Sequence, residues 1–485
     1  MIVVDSPAAA PGVQTPVAAP RMPVLALIGR PNVGKSTLFN QLTRTRDAIV
    51  SDMPGVTRDR RYGVCRNLVA PVVIIDTGGL GEPDLKLAAE VERQSRMAMA
   101  EADLLVLMVD ARAGLLASDH ALAQEARATS KPVLLAVNKA DGLDSDAVHA
   151  EAAVLGLPTV LLSAAHRQNF DELFEQATAL LALEMPAADA VAALESSDVI
   201  RVAVIGRPNV GKSTLINRLA GEERVLAADM PGTTRDAIDV RVEREGQCFV
   251  FIDTAGIRRR ARVEEAVEKF SVLKALQALE HAQVAIIVVD AQAGITDQDS
   301  TVLGHALDAG RGLIIAINKW DGLERHQRTA VESELDRRLD YVQYAPRVPI
   351  SALHGSGLGE LLKLVRKVHR SAQREFSPSD LTDTLNQAME RFQPPMVKGR
   401  AAKFRYAHQG GRNPPRIIVH GTRLDTLPDS YKRYLENQVR EHYQLIGTPV
   451  RLEFRGGTNP FAGKVNPLTD RQVRKKRRLI RHVRR

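Results

Sequence analysis

The chain repeats itself, and that repeat limits its architecture more than any other feature. GRPNVGKST fills residues 29–37 and recurs at 206–214, 177 residues later. The same offset joins PGVTRD at 54–59 to PGTTRD at 231–236, and DTGG from Asp76 to DTAG from Asp253. It widens to 180 for Asp110 and Asp290 and for NKAD and NKWD, which start at Asn138 and Asn318. For Ser163 and Ser351 it is 188. Motifs that recur in one order, with small insertions between them, describe a duplicated domain.

Each copy alternates short apolar runs with helix-like stretches. Runs at 24–28, 72–75, 104–109 and 133–137 correspond to 202–205, 249–252, 284–289 and 313–317. Continuous apolarity bounded by Gly, Asp or Asn fits parallel strands covered on both faces. Residues 61–66 and 239–243 alternate instead, as an edge strand does. The expected class is α/β: two P-loop domains, each a mostly parallel sheet with helices on both faces, then a small α+β domain. That last domain reads as helices at 382–392 and 430–443 and strands at 402–406, 416–419 and 449–454. Nine of the chain's 19 aromatics fall within 372–470, where no nucleotide motif occurs, so a separate fold is expected there. The expected boundaries are a disordered leader 1–22, a first domain 23–183 and an Ala-rich acidic linker 184–198. A second domain 199–371, a third 372–460 and a basic disordered tail 461–485 follow.

No apolar stretch approaches the roughly 18 residues that would suggest a membrane span. The two cysteines, Cys65 and Cys248, sit in strand-like segments, which excludes a disulfide framework and suits a reducing, cytoplasmic location. The net charge of +8 is localised: residues 471–485 hold nine Lys/Arg and no acid, so the other 470 residues sum to −1. The excess is a property of the tail, and a basic tail suits a polyanionic partner.

The repeated motifs carry specific chemistry. In the loop Gly29, Arg30, Pro31, Asn32, Val33, Gly34, Lys35, Ser36 and Thr37, the glycines let backbone N–H groups approach phosphate oxygens at the start of a helix. Gly206, Arg207, Pro208, Asn209, Val210, Gly211, Lys212, Ser213 and Thr214 repeat it. Lys35 and Lys212 are expected on the β- and γ-phosphates, and Ser36 and Ser213 on Mg²⁺. Asn138, Lys139, Ala140 and Asp141, with Asn318, Lys319, Trp320 and Asp321, follow strand ends, where ligands bind in doubly wound sheets. Asp141 and Asp321 are expected to accept two hydrogen bonds from guanine N1 and N2, worth about 1.5–3 kcal/mol each; adenine lacks that donor pair. Lys139 and Lys319 would pack along the base. The backbone at Ala164 and Ala352 would reach guanine O6, and Ser163 and Ser351 before them complete the expected GTP-binding set.

Asp76, Thr77, Gly78 and Gly79 in one copy match Asp253, Thr254, Ala255 and Gly256 in the other. The two aspartates are expected to hold Mg²⁺ through water, and the Gly79 and Gly256 N–H groups to meet the γ-phosphate. Thr57 and Thr234 are the expected switch threonines over the metal. Many GTPases place next a glutamine that orients the attacking water; here Leu80 and Ile257 stand there. An apolar side chain cannot orient water, so hydrolysis must use a backbone group, another residue or a bound cation. Asn32 and Asn209 admit two readings, a turn-stabilising side chain or a ligand to a monovalent cation. Arg258, Arg259, Arg260 and Arg262 follow the second DTAG and likewise read either as a solvated loop or as a nucleotide-dependent RNA contact.

Two copies of GRPNVGKST, PGxTRD, DTxG and NKxD, followed by PDSYKRYLENQVREHYQLIGTPVRLEFR at 428–455, closely resemble the bacterial EngA/Der GTPases over about residues 23–460. The motifs themselves predict GTP hydrolysis to GDP and phosphate, and the chain is expected to be a monomer. The resemblance implies a role in assembly of the large ribosomal subunit on its rRNA. It also implies a KH-like third domain, and potassium-stimulated hydrolysis, with Leu80 and Ile257 in the glutamine position and Asn32 and Asn209 as the potassium-linked asparagines. The third domain has no GxxG loop (GGRN from Gly410 is not one), so a generic KH clamp on RNA is not expected. A constitutive rRNA-binding protein is the rival reading. A GTPase partnering tRNA modification is less consistent with the duplication.

Overall fold

The computed structural model describes residues 21–43, 61–77, 95–183, 199–222, 239–252, 272–396 and 402–456. The leader to residue 20, the linker 184–198 and the basic tail lie outside the described residues.

The first sheet is built from β1 (Val24–Gly29), β2 (Arg61–Cys65), β3 (Val72–Asp76), β4 (Leu104–Asp110), β5 (Val133–Asn138) and β6 (Thr159–Leu161), in the order β2-β3-β1-β4-β5-β6. Only the edge strand β2 runs antiparallel. The second sheet holds β7 (Val199–Ile205), β8 (Val240–Arg244), β9 (Gln247–Phe251), β10 (Val284–Asp290), β11 (Gly312–Asn318) and β12 (Arg347–Pro349). Its order, β8-β9-β7-β10-β11-β12, is the same. All the expected strands are present, within a few residues of the expected ends. β6 and β12 were not expected, because three residues are too few to carry a periodic pattern.

The apolar runs bury both faces. Along β1, Val24, Ala26 and Ile28 enter one core cluster while Leu25 and Leu27 enter another. Along β10, Val284, Ile286 and Val288 face one cluster and Ala285, Ile287 and Val289 the other. Side chains alternate across a strand, so a strand between two helical layers must be apolar throughout. In the first domain, Leu38 and Leu42 of α1 (Lys35–Thr43) cover one face with Leu173 of α4 (Phe170–Leu180). Ala123 of α2 (Ala117–Ala128) and Ala152 of α3 (Ser145–Ala152) cover the other. In the second, α5 (Lys212–Glu222) and α9 (Leu358–Ala372) share one layer, and α6 (Val272–His281), α7 (Asp297–Asp308) and α8 (Arg325–Arg338) the other.

Helix α6 also meets the first domain. Leu276 joins the cluster that contains Met22, Ala98 and Met99, and Arg66 Nη2 lies 2.7 Å from Glu280 Oε2. Met22, placed in the leader by sequence, is only 4% exposed and belongs to this core.

The C-terminal region contains α10 (Pro378–Arg391), α11 (Asp429–His442) and a sheet of β13 (Lys403–Gly411), β14 (Arg416–Thr422) and β15 (Arg451–Gly456). Leu381, Leu385 and Ala388 bury one stripe of α10, the i, i+4, i+7 spacing of an amphipathic helix. By contact density the chain divides into two compact units, and Gly411–Arg416 and Arg440–Arg451 group with the GTPase domains. The reason is local: the Leu313 N–H in β11 donates to Gly447 O at 2.6 Å, and the Gly447 N–H donates to Tyr344 O at 2.9 Å.

Candidate nucleotide sites

In each copy the glycine-rich loop leaves the end of the central strand and opens a helix, at Gly29 and Lys35 and again at Gly206 and Lys212. Asn32 and Gly34 adopt φ of 65° and 100°, and Asn209 and Gly211 adopt 62° and 98°. Such torsions curl backbone N–H groups into an anion-binding concavity. A Cβ on Gly34 would overlap Asn138 Nδ2, and one on Gly211 would overlap Asn318 Nδ2. Val33 and Val210, each 1% exposed, anchor the loops from beneath.

Lys35 is buried, and its ammonium donates to the carbonyls of Gly29 at 2.7 Å and Arg30 at 2.6 Å. Burial pushes its pKa down to about 8 against the opposing pull of the Asp76 carboxylate. Lys212 Nζ donates to Arg207 O at 2.7 Å. Ser36, in the first turn of α1, and Asp76, at the end of β3, are hard oxygen donors of the kind Mg²⁺ takes, and Asp76 is close enough to act on Lys35. The residues present therefore fit this ion. Thr77 Oγ1 donates to Leu27 O at 2.7 Å, tying the start of DTGG to β1.

The guanine side is organised by one asparagine per domain. Asn138 Nδ2 donates to Val33 O at 2.7 Å, and its Oδ1 accepts from the Ala164 N–H at 2.9 Å. Asn318 repeats both bonds, to Val210 O and from Ala352 N, at 2.7 and 2.9 Å. Each side chain thus joins three motifs that are far apart in the chain. These asparagines thereby hold the backbone of Ala164 and Ala352, the residues assigned to guanine O6.

Lys139 and Lys319 take φ of 62° and 63°, and their ammonium groups lie 2.6 Å from Asp110 Oδ2 and Asp290 Oδ2. Burial alone would raise both acids, but the lysines and nearby backbone N–H groups bring them below the usual carboxylate range. Asp141 and Asp321 are also held low, first by hydrogen bonds from Ser163 and Ser351. Beyond that the copies differ. Arg112 lies 2.7 Å from Asp141, whereas His354 lies 3.4 Å from Asp321.

Four acids to which the motifs assign no chemistry help to build the sites. Asp110 and Asp290 lock the base-side lysines, while Asp119 and Asp299 bind the loop arginines Arg30 and Arg207 at 2.7 and 3.3 Å. Both pairs keep the 180-residue offset, the signal that could have found them. Thr57, Gly78, Gly79, Leu80, Thr234, Asp253, Thr254, Ala255, Gly256, Ile257 and the arginines at 258, 259, 260 and 262 lie outside the described residues.

Residues 24–139 and 201–319 each match the family described as "50S ribosome-binding GTPase". Residues 376–455 match the "KH-domain-like of EngA bacterial GTPase enzymes, C-terminal". The protein "GTPase Der" of Xanthomonas axonopodis pv. citri (strain 306) is 53% identical over 465 residues, 95% of this chain and 99% of that one. The chain belongs to the Der (EngA) family. It is a tandem GTPase that hydrolyses GTP, with a KH-like domain after the second GTPase domain. Another Der protein, from Xylella fastidiosa (strain M12), is 52% identical over 466 residues, 96% of this chain and 100% of its own length. Among solved structures, a single-residue variant of Aquifex aeolicus Era bound to GDP·AlF4⁻ matches at 23% identity, over 53% of this chain and 92% of that one, with a TM-score of 0.27. Among the described residues of this Der-family chain, no helix is long and apolar enough to cross a membrane.

Proposed function

We propose that this chain is a cytoplasmic, monomeric assembly factor for the large (50S) ribosomal subunit, in which GTP and GDP set the affinity for rRNA-containing particles. The observation that carries the reading is the duplicated asparagine brace, equal in both copies to 0.1 Å, which favours two working sites. The description of the matching family as ribosome-binding, and a tail with nine Lys/Arg, support the partner.

In this reading Lys35 and Lys212 neutralise the β- and γ-phosphates within the loop N–H cradle, and Asp141 and Asp321 select guanine. Ser36, Thr57 and Asp76, with Ser213, Thr234 and Asp253, hold Mg²⁺, which when bound offsets phosphate charge. The Gly79 and Gly256 N–H groups meet the γ-phosphate. Leu80 and Ile257 offer no hydrogen bond to water, so Asn32 and Asn209 hold K⁺ beside the phosphates. Both asparagines occupy left-handed turns, a conformation that Asn tolerates better than most residues.

Co-sedimentation with purified 50S subunits tests the switch. Binding is expected to differ between GDP, a non-hydrolysable GTP analogue and no nucleotide. Equal binding in all three would leave only a constitutive rRNA-binding protein. Replacing K⁺ by Na⁺ is expected to lower turnover, and an unchanged rate would remove potassium from the scheme.

A further inference from the structure

The KH-like domain carries a column of flat rings on its sheet. Tyr406 on β13 and His420 on β14 stack with centroids 4.4 Å apart and planes 11° apart. His408 extends the stack to His420 at 5.3 Å and 16°. The pleat explains the placement: Ala407, Ile417 and Val419 alternate with these rings and are buried, and the Ala407 N–H bonds Thr382 Oγ1 of α10. The rings therefore occupy the face opposite the helix. Sheet faces turned to water ordinarily carry polar side chains. Here Tyr406 is 51% exposed, more than a ring that serves only to pack.

The charge on the same strands selects the partner. β13, β14 and β15 hold five Lys/Arg against one acid, Glu453, which is 3.6 Å from Arg455. Lys403 and Arg405 are exposed on the edge strand β13, and Arg455 is exposed on β15, the opposite edge. Arg455 is near enough that its charge, after burial and His408, helps to lower the pKa of His420. The chain leaves β15 at Gly456 and ends, after the described residues, with its nine-charge segment. Flat rings with flanking cations match an unpaired base between two phosphates, since every base has a π-face and every linkage a negative charge.

We infer that Tyr406, His408 and His420 form a stacking platform for an unpaired base of single-stranded RNA, with Arg455 serving an adjacent phosphate. This deepens the rRNA-binding reading above and rests on it. It also supplies what the missing GxxG grip leaves open, because GGRN falls at the turn from β13 into β14.

The test uses the full chain and a 12-nucleotide single-stranded RNA with a central 2-aminopurine, whose fluorescence drops on stacking. The wild type is expected to quench the probe. Tyr406→Ala is expected to abolish the quench and weaken binding by about 5- to 150-fold, the loss for one base–aromatic stack. Tyr406→Phe should retain both. Unchanged GTP turnover and thermal melting in the variants would show that the fold is intact. No quench with wild type, or a quench that survives both Tyr406→Ala and the His408→Ala/His420→Ala double variant, would overturn the platform. Weaker binding with the quench retained would overturn it too, since the tail alone would then account for affinity. The nucleotide-switch reading fails separately, through 50S co-sedimentation that ignores nucleotide in the wild type.

Discussion

Arg112 Nη2 lies 2.7 Å from Asp141 Oδ2, and the matching position in the second domain is Gln292. The acid that suits guanine thus faces a permanently charged arginine in the first domain, where the second domain has His354. The arginine is 58% exposed, so solvent screens the pair and it contributes little to stability. In a Lys212→Ala background, Arg112→Gln is expected to tighten GDP binding by up to about fivefold and flatten its salt dependence. Titration with a fluorescent GDP analogue measures it. Weaker binding would show that Arg112 supports the base instead.

Asn138 and Asn318 each satisfy a loop carbonyl and a backbone N–H that are otherwise buried. Either alanine variant should lose about 1–3 kcal/mol of stability in its own domain and most of that domain's nucleotide affinity. Differential scanning calorimetry with site-by-site nucleotide titration would show this. A variant that binds normally would mean that the brace positions nothing.

Lys35 titrates near pH 8 because it is buried. Phosphate binding favours the charged ammonium, so above pH 8 the free protein must take up a proton to bind. First-domain affinity should therefore fall by up to about tenfold per pH unit above 8 and be flat below it. Lys35→Arg, which stays charged, should remove the slope. The comparison runs from pH 7 to 9 with the second domain silenced. A flat wild-type profile would contradict the assignment.

Glu280 joins the two GTPase domains through Arg66 at 2.7 Å and also faces Arg311 at 3.4 Å. Burial would raise its pKa, but the two arginines take it below the ordinary value of 4.5. Its folded pKa is depressed, so the stabilisation is complete above about pH 4.5 and is lost as pH falls through the depressed value. Glu280→Ala leaves Arg311 buried without this partner and should cost about 3–5 kcal/mol at pH 7. Urea unfolding at pH 7, 4 and 3 should show the gap to wild type shrinking in acid. A gap that is constant with pH would assign the loss to packing.

Much of this was legible in the chain. Strands buried on both faces announce themselves as unbroken apolar runs, and β1 and β10 appear within a residue of the expected ends. The glycine loops were legible because torsion, close approach and helix start all act within nine residues. β6 and β12 were not, since three residues carry no period. Nor was the ring column, because Tyr406 and His420 are 14 residues apart and meet only when two strands pair.

The sequence by itself determined the duplication, the α/β class and the residue types at each phosphate and base position. These are encoded in local spacing, which physical chemistry reads directly. Only the tertiary structure decided how those residues are held: Asn138 against Val33, 105 positions away, Lys139 against Asp110, and Arg112 against Asp141. β4 and β5 run side by side with Asp110 opposite Asn138, so the lysine that follows Asn138 meets that acid. Such bonds depend on strand order and register, which no local pattern specifies. The difference between the two sites accordingly emerged only once neighbouring strands were placed together.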